Sequence, residues 1–478
     1  MLKCLTWKTP YYSCKLDKLL VVRLRRVDDL KEAPLTGQLV AISVYYFLLS
    51  ILLLVAGPIL LLKKKARAGL SQKLGFITAA LKEKSKTAAT KPRIWFHAVS
   101  VGEFNALFPL LTEFRKRHPQ FEIFISTTTA TGQEIAKSKT AGFAEVFYFP
   151  FDLPWITAAY LDLIAPSMVA IVETEIWPGF INQCHERNTP CMIVNGRLSP
   201  RSSKGYKRWG FFFGQFLAKL SAIAVQTQQE QERFAAIGNK PLNISVCGNI
   251  KLDGLNPISS LERKQLREKL NLKDSDFVLV AGSTHEGEES ALLEIAKRQD
   301  CKLILVPRHP ERFDRVQQII EAAGLRARRF TENESFESAS DVYLLDTIGQ
   351  LSRFYSVASL AFVGGTLANV GGHNLAEPSM YKVPVLCGPH VHKAKDFFDK
   401  LSERGALHQG NDVEELNKLV ESFKSCEKDR IQAGESGYQF IQDSQGAVAR
   451  TLSVLEQYLP QCDSADRSNQ KWERVGVR

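Results

Sequence analysis

The 478-residue sequence has no CxxC pair, and its nine cysteines are scattered along the chain. An odd number of dispersed cysteines fits free thiols in a reducing compartment better than a framework of disulfide bridges. Internal repeats and low-complexity tracts are also missing, so nothing indicates a repetitive architecture. A chain of this length is too long for one compact core, and we therefore expect at least two domains.

Complete metal-binding templates are lacking as well. The segment 283–289 contains His285 but not the second histidine of an HExxH motif, and a capped helix start explains it better. His390 and His392 have no matching third ligand, so solvated loop histidines are the simpler interpretation. We therefore expect no metal ion.

Positive charge is concentrated at one end of the chain. The net charge is +11, and residues 1–93 hold 18 Lys and Arg against 5 Asp and Glu, which leaves the rest close to neutral. A nucleic-acid-binding protein would carry its positive charge on the folded body. Here the charge flanks an apolar segment, so we expect an anionic membrane surface as partner and no nucleic acid.

That apolar segment is residues 39–62, which include no charged residue. As a helix it would reach about 36 Å, enough to cross a hydrocarbon core of about 30 Å. Basic residues follow it in the linker 63–93, which predicts that the folded body faces the cytoplasm. A cleaved signal peptide is less favoured because the segment starts far from Met1, whereas Gly57–Pro58 leaves a half-inserted helix open. The N-terminal extension 1–38 has no assigned role.

From Arg93 onward, apolar strand-like runs alternate with amphipathic helical stretches, which is typical of βα units around a mainly parallel sheet. Strands of a first layer are predicted near residues 94–97, 121–127, 144–149, 168–172, 191–195, 222–226 and 244–248. Strands of a second layer are predicted near 277–281, 302–306, 342–345, 360–363 and 383–386, and late helices near 413–423 and 446–459. The pattern predicts an α/β protein with two Rossmann-like, doubly wound domains, 94–255 and 256–460, and a mobile tail, 461–478.

Doubly wound domains bind ligands at the carboxyl ends of their strands. Two such domains would turn these ends toward a shared crevice, so that a donor and an acceptor dock on opposite sides. Closure of the domains would exclude the water that otherwise hydrolyses an activated donor. The architecture therefore suits group transfer.

A lone carboxylate, Glu103, stands at a predicted helix start directly after the first strand, in the motif HAVSVGE. The helix dipole would stabilise its ionised form, and a carboxylate in this place could accept a proton from an attacking hydroxyl. On this motif alone, an N-terminal capping acid is the more common explanation.

Two further motifs of the first domain carry charged residues at strand ends. Glu173 and Glu175 follow the strand 168–172, and of the two we favour Glu173 because it is closer to the crevice mouth. Lys251 follows the last strand and could neutralise developing phosphate charge, although a solvated surface lysine is the ordinary alternative.

The second domain offers candidate nucleotide contacts. Arg308 follows a strand after the stiffening Pro307 and could bind a phosphate through two hydrogen bonds. The glycine-rich segment 364–378 also follows a strand, and we expect it to open a helix whose free backbone amides bind phosphate. Asn374 and Glu377 within it could bind ribose hydroxyls. Together these features predict an enzyme that uses a nucleotide-activated donor.

Taken in order, seven motifs resemble the series found in bacterial Kdo (3-deoxy-D-manno-octulosonic acid) transferases. They are HAVSVGE, ETEIWP, NGRLSPRS, GNIKLD, GSTHEGEE, PRHPERF and FVGGTLANVGGHNLAEP. The resemblance covers about residues 39 to 459. It implies a GT-B type fold on the inner membrane and an inverting transfer of Kdo from CMP-Kdo to a lipid A precursor, lipid IVA, in lipopolysaccharide core biosynthesis.

The resemblance also implies roles for individual residues. Glu103 matches the family's general base, and Glu173 and Lys251 match residues that stabilise the transition state. The implied CMP contacts are Pro307, Arg308, Ile348, Gly349, Gln350, Asn374, Leu375, Ala376 and Glu377. No cofactor is implied beyond the donor substrate CMP-Kdo.

Three departures from the family pattern stand out: Gln350 replaces a glutamate, Gly196 replaces an alanine, and residues 1–38 precede the usual anchor. Two alternatives stay open. One is another nucleotide-sugar enzyme of the same architecture, such as an epimerase. The other is a membrane-tethered sugar-nucleotide-binding protein without transferase activity.

Overall fold

The structure is a computed structural model that describes residues 35–62, 67–87, 90–238, 240–255, 257–338 and 340–460. The chain divides into two units, residues 1–63 and 64–478. The predicted tail 461–478 and most of the predicted extension 1–38 lie outside the described residues.

The first unit is described by one helix, α1 (Leu35–Leu62), which runs through the apolar segment and begins four residues before it. Large apolar side chains of α1 are exposed, and Leu54 is 80% exposed. Within the described ranges, no helix meets the combined requirements of length and apolarity for crossing a membrane. The membrane anchor therefore stays a prediction.

The second unit contains two seven-stranded sheets, and all their strand pairs are parallel. The first has the order β3-β2-β1-β4-β5-β6-β7. Its strands are β1 (Arg93–His97), β2 (Glu122–Thr127), β3 (Ala144–Tyr148), β4 (Met168–Val172), β5 (Cys191–Gly196), β6 (Ala222–Val225) and β7 (Ile244–Val246). The seven predicted strands of this layer are confirmed.

The second sheet has the order β10-β11-β9-β8-β12-β13-β14. Its strands are β8 (Val278–Thr284), β9 (Lys302–Pro307), β10 (Arg326–Arg329), β11 (Asp341–Leu344), β12 (Leu360–Val363), β13 (Val385–Cys387) and β14 (Leu407–Gln409). The prediction missed β10 and β14, which form the two edges. Strand β10 contains three arginines and β14 has three residues, so neither shows the apolar run of a buried strand.

Helices connect the strands and cover the sheets. In the first half they are α2 (Leu70–Lys73), α3 (Ala79–Thr87), α4 (Val101–Arg117), α5 (Ala130–Lys139), α6 (Pro154–Ile164), α7 (Pro178–Glu186), α8 (Pro200–Arg208), α9 (Gly210–Leu217), α10 (Gln228–Ala235) and α11 (Ile250–Asp253). In the second half they are α12 (Ser260–Lys269), α13 (Glu288–Gln299), α14 (Phe313–Ala322), α15 (Leu351–Phe354), α16 (Lys395–Glu403), α17 (Val413–Ser425), α18 (Glu427–Ser444) and α19 (Ala447–Glu456). Two parallel α/β layers confirm the predicted two-domain α/β class.

The last helix crosses back to the first sheet. Leu452 and Leu455 of α19 are buried in the hydrophobic core that also contains the apolar residues of β1 and α4. The carboxylate of Asp253 accepts hydrogen bonds from the backbone N–H groups of Gly446, at 3.0 Å, and Val448, at 2.7 Å. These packing contacts and hydrogen bonds attach α19 to the first half of the body, although α19 follows the second sheet in sequence.

Candidate active site

Glu103 lies in the first turn of α4, and its carboxylate folds back over the helix start. Ser100 caps the helix by accepting a hydrogen bond from the Glu103 N–H at 3.4 Å. The Glu103 Oε2 atom in turn accepts a hydrogen bond of 2.6 Å from the Val99 N–H. The capping geometry expected of an acid at this position is therefore present.

The pKa of Glu103 differs from that of an ordinary capping acid. Burial raises the pKa of Glu103 to about 7 against the opposing Val99 hydrogen bond, and the negative charges of Glu173 and Glu175 add to the rise. A capping acid on an open surface would ionise near its ordinary pKa instead. A carboxylate with a pKa of about 7 exchanges its proton readily at neutral pH, as a general base requires.

Glu173 is held by a strained backbone at the end of β4. Its φ of 60° lies in the left-handed region, which costs about 1–2 kcal/mol for a residue with a Cβ. The Glu173 N–H is anchored by a 2.9 Å hydrogen bond to the Val194 carbonyl of the neighbouring strand. Its Oε1 atom accepts a hydrogen bond of 2.7 Å from Lys251 Nζ, which forms an ion pair. Strain of this kind is concentrated at functional sites.

Lys251 reaches this pair from the short helix α11. Asn249 caps the helix, and its Oδ1 accepts a hydrogen bond from the Lys251 N–H at 3.0 Å. The buried Asn195, at the end of β5, accepts a further hydrogen bond of 3.1 Å from the Ile250 N–H. Two asparagines therefore fix the segment that presents the lysine.

Glu175 is a residue that the sequence prediction set aside. Burial raises its pKa to about 7, and the negative charge of Glu173 adds to the effect. Its charge also contributes to the raised pKa of Glu103. Glu103, Glu173 and Glu175 thus form one carboxylate cluster, and the ETE spacing directly after a buried strand was its signal in the sequence.

On the second sheet, Arg308 directly follows β9, and its N–H donates to the Thr284 carbonyl at 3.0 Å. The half-buried Glu377 accepts a hydrogen bond of 2.9 Å from Asn374 Nδ2. Burial raises the pKa of Glu377, against the opposing effects of Asn374 and the Arg308 charge. Arg308, Asn374 and Glu377 are therefore brought together, as the nucleotide interpretation requires.

The remaining predicted nucleotide contacts differ in exposure. Leu375 and Ala376 are buried in an apolar cluster, so only their backbone atoms are available to a ligand. Ile348 is 70% exposed, Gly349 has a φ of 83°, and Gln350 Oε1 accepts a hydrogen bond from Arg353 at 3.1 Å. This turn follows β11, the strand next to β9, so it lies at the same edge as Arg308.

The glycine-rich segment does not open a helix, and this prediction was wrong. Gly365, Gly371 and Gly372 have positive φ values of 71°, 106° and 84°, which no α-helix accommodates, and a short 3-10 turn, Pro378–Tyr381, follows. The first backbone N–H groups of the glycine-rich segment are also unavailable to a phosphate. The carboxylate of the buried Glu288 accepts hydrogen bonds from the N–H groups of Gly365, Thr366, Leu367 and Ala368.

A cavity of about 970 Å³ lies between the two sheets. Its lining includes Lys251 and Asn249 from the first half, and His373, Asn374 and Lys393 from the second. Among the described residues, Glu103 and Arg308 are not part of this lining. The ion pair between Lys251 and Glu173 is therefore the connection between the carboxylate cluster and the cavity.

Comparison with known proteins shows which family the sequence is similar to. Residues 68–254 match the model of the 3-deoxy-D-manno-octulosonic-acid transferase (kdotransferase) family. The chain is 34% identical to a 3-deoxy-D-manno-octulosonic acid transferase of Haemophilus influenzae, over 77% of this chain and 87% of the relative. It is 30% identical to the enzyme of the same name from Chlamydophila psittaci, over 79% and 88% of the two chains.

Among solved structures, a UDP-GlcNAc 2-epimerase from Neisseria meningitidis bound to UDP-GlcNAc matches with a TM-score of 0.53. The match covers 76% of this chain and all of the epimerase, at 13% identity, so it shows a shared two-domain fold alone. The functional assignment rests on the relatives of higher identity. By sequence, the chain belongs to the 3-deoxy-D-manno-octulosonic acid transferases, a family of glycosyltransferases.

Proposed function

We propose that the protein transfers Kdo from CMP-Kdo to a hydroxyl group of lipid IVA in the assembly of the lipopolysaccharide core. The observation that carries the mechanism is the Glu103 carboxylate, whose pKa of about 7 suits a general base at neutral pH. Family membership supports the transferred sugar, because the relatives are named for its transfer.

In the proposed reaction, the acceptor hydroxyl attacks the anomeric carbon of Kdo while Glu103 accepts its proton. A carbon–oxygen bond forms to the acceptor as the bond between the anomeric carbon and the phosphate oxygen breaks. The electron pair of the broken bond leaves with CMP. A single displacement of this kind inverts the configuration at the anomeric carbon.

Positive side chains stabilise the departing phosphate in this scheme. Lys251 is held at the cavity by Glu173, at 2.7 Å, and Arg308 stands at the end of β9. Fixed cations in a site that excludes water act strongly on charge that develops during the reaction. We propose that these groups suffice without a metal ion, so transfer is expected to persist in the presence of EDTA.

The nucleotide is proposed to lie on the second sheet. Glu377 and Asn374 are hydrogen-bonded to each other and suit ribose hydroxyls, which both donate and accept hydrogen bonds. Pro307 and Arg308, the turn Ile348–Gly349–Gln350 and the backbone of Leu375 and Ala376 complete the proposed CMP contacts.

The direct test is CMP release from CMP-Kdo by the purified full-length protein with lipid IVA as acceptor. We expect CMP release to require the acceptor, and mass spectrometry of the product to show discrete additions of Kdo. Binding of CMP-Kdo without any transfer would support a sugar-nucleotide-binding protein instead. A thermal-shift response to UDP rather than CMP would favour a different nucleotide-sugar enzyme.

We also propose that the protein binds an anionic membrane surface, with its body on the cytoplasmic face of the inner membrane. The uncharged residues 39–62 and the basic residues that follow them support this location. Whether helix α1 spans the bilayer or lies within one leaflet is decided by labelling introduced cysteines from each side.

Helices α8 and α9 support the same partner. Helix α8 contains four Lys and Arg and no Asp or Glu, and α9 contains no charged residue. The aromatic side chains of Trp209 and Phe211 project beside them and are 54% and 75% exposed. Exposed aromatic residues among basic ones are typical of protein surfaces that lie at a lipid headgroup layer.

Vesicle flotation of the full-length protein tests this surface. We expect K207Q/R208Q on α8 to weaken binding to vesicles that contain phosphatidylglycerol, and raised salt to reduce the difference. The exposed pair R263Q/K264Q on α12 removes the same charge from the other half and is the control. Equal losses in the two variants would contradict a specific role of α8.

A further inference from the structure

Arg197, in the motif NGRLSPRS, lines the cavity but has no part in the proposed reaction. It directly follows β5, whereas Lys251 and Asn249, which line the same cavity, follow β7. Strand β5 is the neighbour of β4 in the first sheet, and β4 leads into Glu173 and Glu175. The turn that carries Arg197 therefore lies at the same edge as the carboxylate cluster.

Hydrogen bonds join this turn to the elements on both sides of it. The hydroxyl of Thr174, which lies between the two acids, donates to the Arg197 carbonyl. The side chain of Asn195, which is 1% exposed, accepts a hydrogen bond of 3.1 Å from the Ile250 N–H. Ile250 directly precedes Lys251. The backbone segments that carry Arg197 and Lys251 are therefore joined to each other.

An aspartate of the second half is paired with Arg197. The Arg197 Nη2 atom lies 2.8 Å from the Asp396 Oδ2 atom, and both residues line the cavity. Asp396 is in the first turn of α16, where the helix dipole favours an acid without any partner. The two side chains are 35% and 54% exposed. Ion pairs this exposed contribute little to stability, so another carboxylate can replace Asp396 easily.

Other cations in the cavity wall have partners that belong to the fixed fold. Arg233 and Arg450 each donate a hydrogen bond of 2.8 Å to a backbone carbonyl group. Lys251 is paired with Glu173, whose backbone is itself anchored to β5. Arg197 differs from them, because its ion-pair partner is an exposed side chain from the opposite half.

A second acid close to Arg197, Glu230, serves the start of α10. Its Oε2 atom accepts a hydrogen bond of 2.6 Å from the capping Thr227. Burial raises the pKa of Glu230 and the Asp396 charge adds to the rise, whereas the Thr227 hydrogen bond and the Arg197 charge oppose it. Asp396 is thus the carboxylate paired with Arg197, and it is placed beside another acid that repels it.

The sugar of the proposed donor supplies a carboxylate at the reacting carbon. Kdo is an octulosonic acid, as the names of the relatives state, and its carboxyl group is attached to the anomeric carbon. In CMP-Kdo the same carbon bears the phosphate oxygen, so the carboxylate and the phosphate are close neighbours. A site for this donor is therefore expected to hold one cation for the phosphate and a second cation beside it.

We propose that Arg197 binds the carboxylate of the Kdo group in the donor, and that Asp396 gives up its ion pair when the donor binds. The inference rests on the proposed function, because it assigns the carboxylate to CMP-Kdo. A guanidinium group can donate two parallel hydrogen bonds to one carboxylate, which fixes its orientation as well as its position. Arg197 thereby orients the anomeric carbon, while Lys251 faces the phosphate.

This role makes Arg197 a specificity-determining residue. A donor whose sugar has no carboxylate leaves the ion pair with Asp396 in place and gains nothing from the guanidinium. An acidic sugar replaces a weak, exposed contact by charge-assisted hydrogen bonds inside the cavity. The site would therefore select an acidic sugar over a neutral one of similar size.

Initial rates of CMP release by the full-length protein with lipid IVA test this role. We expect R197Q to raise the KM for CMP-Kdo about tenfold or more. R197K keeps the charge but loses the planar fork, so its KM should lie between those of R197Q and the wild type. Inhibition by CMP, which has no carboxylate, should change less than about twofold in both variants.

D396N separates a substrate contact from a bridge between the two halves. This variant removes the competing carboxylate, so its KM for CMP-Kdo should stay unchanged or fall by up to about fivefold. The ion pair between Arg187 and Asp162 provides matched controls, R187Q and D162N. Its atoms are 2.9 Å apart, its side chains are 27% and 66% exposed, and neither residue is among the described residues that line the cavity.

A KM of R197Q within about threefold of the wild type would overturn the inference. A KM of D396N raised as much as that of R197Q would overturn it as well, because a mere bridge loses the same contact in both variants. Equal weakening of CMP and CMP-Kdo would show an effect on the nucleotide pocket instead. If the wild type transfers no Kdo, the proposed function fails; if it does and R197Q is unchanged, only the role of Arg197 fails.

Discussion

The two sheets are both entirely parallel, but the residues at their carboxyl edges have opposite chemistry. The edge of the first sheet gathers the carboxylates of Glu103, Glu173 and Glu175, and burial and like charge raise the pKa of Glu103 and Glu175 to about 7. The edge of the second sheet gathers imidazole and guanidinium groups, and burial and like charge lower the pKa of His373 to about 4.

In both places the neighbours disfavour the charged form of the group. A carboxyl in this state binds a proton at higher pH than usual, whereas an imidazole in this state stays neutral to lower pH than usual. In the proposed reaction, the first edge would accept the proton of the attacking hydroxyl, and the second edge would face the phosphate that gains a charge. Two parallel sheets provide the positions, and the residues at the strand ends decide the chemistry.

The largest expected effect comes from removing the proton acceptor of the first edge. Glu103→Gln should lower kcat by about 10²–10⁴, the usual contribution of a general base, and leave CMP affinity unchanged. Glu113 on the same helix, whose carboxylate pairs with Arg117 at 2.8 Å, provides the control E113Q. Turnover of E103Q within a factor of three of the wild type would remove Glu103 from the mechanism.

The same substitution should stabilise the fold at high pH. Because the pKa of Glu103 is raised to about 7, the folded protein keeps a proton between pH 4.5 and 7 that the unfolded chain releases, and stability falls as pH rises through this window. E103Q has no carboxyl group that ionises at this position, so it does not lose this stability. Its Tm at pH 8 should therefore exceed that of the wild type. A lower Tm at pH 8 would show that the carboxylate mainly serves as a helix cap.

On the second edge, the largest effect on stability is expected at Glu288. Its side chain is 1% exposed, and its two oxygens accept hydrogen bonds from five backbone N–H groups. Glu288→Gln replaces one oxygen by an NH2 group, which cannot accept hydrogen bonds from these N–H groups. We expect the free energy of unfolding to fall by about 2–5 kcal/mol. Urea denaturation measures the change, and the exposed E286Q is the control. A loss below 0.5 kcal/mol, an ordinary surface effect, would contradict the role of the carboxylate.

The contrast between the two edges also explains what the sequence could predict. Strands such as Met168–Val172 are continuous apolar runs, so their existence and ends follow from the local pattern. Glu173 and Lys251 were nominated separately by their positions after strands, but their contact joins residues 78 positions apart. The carboxylate of Glu288 under the loop 365–368 is a similar long-range pairing, and no local signal distinguishes it from an ordinary first-turn acid.

The pH dependence of transfer provides a finer test of the carboxylate cluster. Because Glu103 must be ionised to accept a proton, kcat/KM should rise with pH and level off above about pH 7. Glu173→Gln removes a negative charge that raises the pKa of Glu103, so the midpoint should move to lower pH by up to about one unit. The midpoint of E113Q should stay in place. A shift of the E173Q midpoint to higher pH would contradict the cluster.

The smallest effect is expected at Gln350, where the family usually has a glutamate. Gln350 Oε1 already accepts a hydrogen bond from Arg353 at 3.1 Å, so Gln350→Glu converts this contact into a partly exposed ion pair. Such pairs contribute about 0–1 kcal/mol, and we expect the Kd for CMP to change less than about fivefold. A change of a hundredfold would mean that this turn contacts the nucleotide charge directly. A small change would agree with Arg308 as the proposed charged contact of the nucleotide.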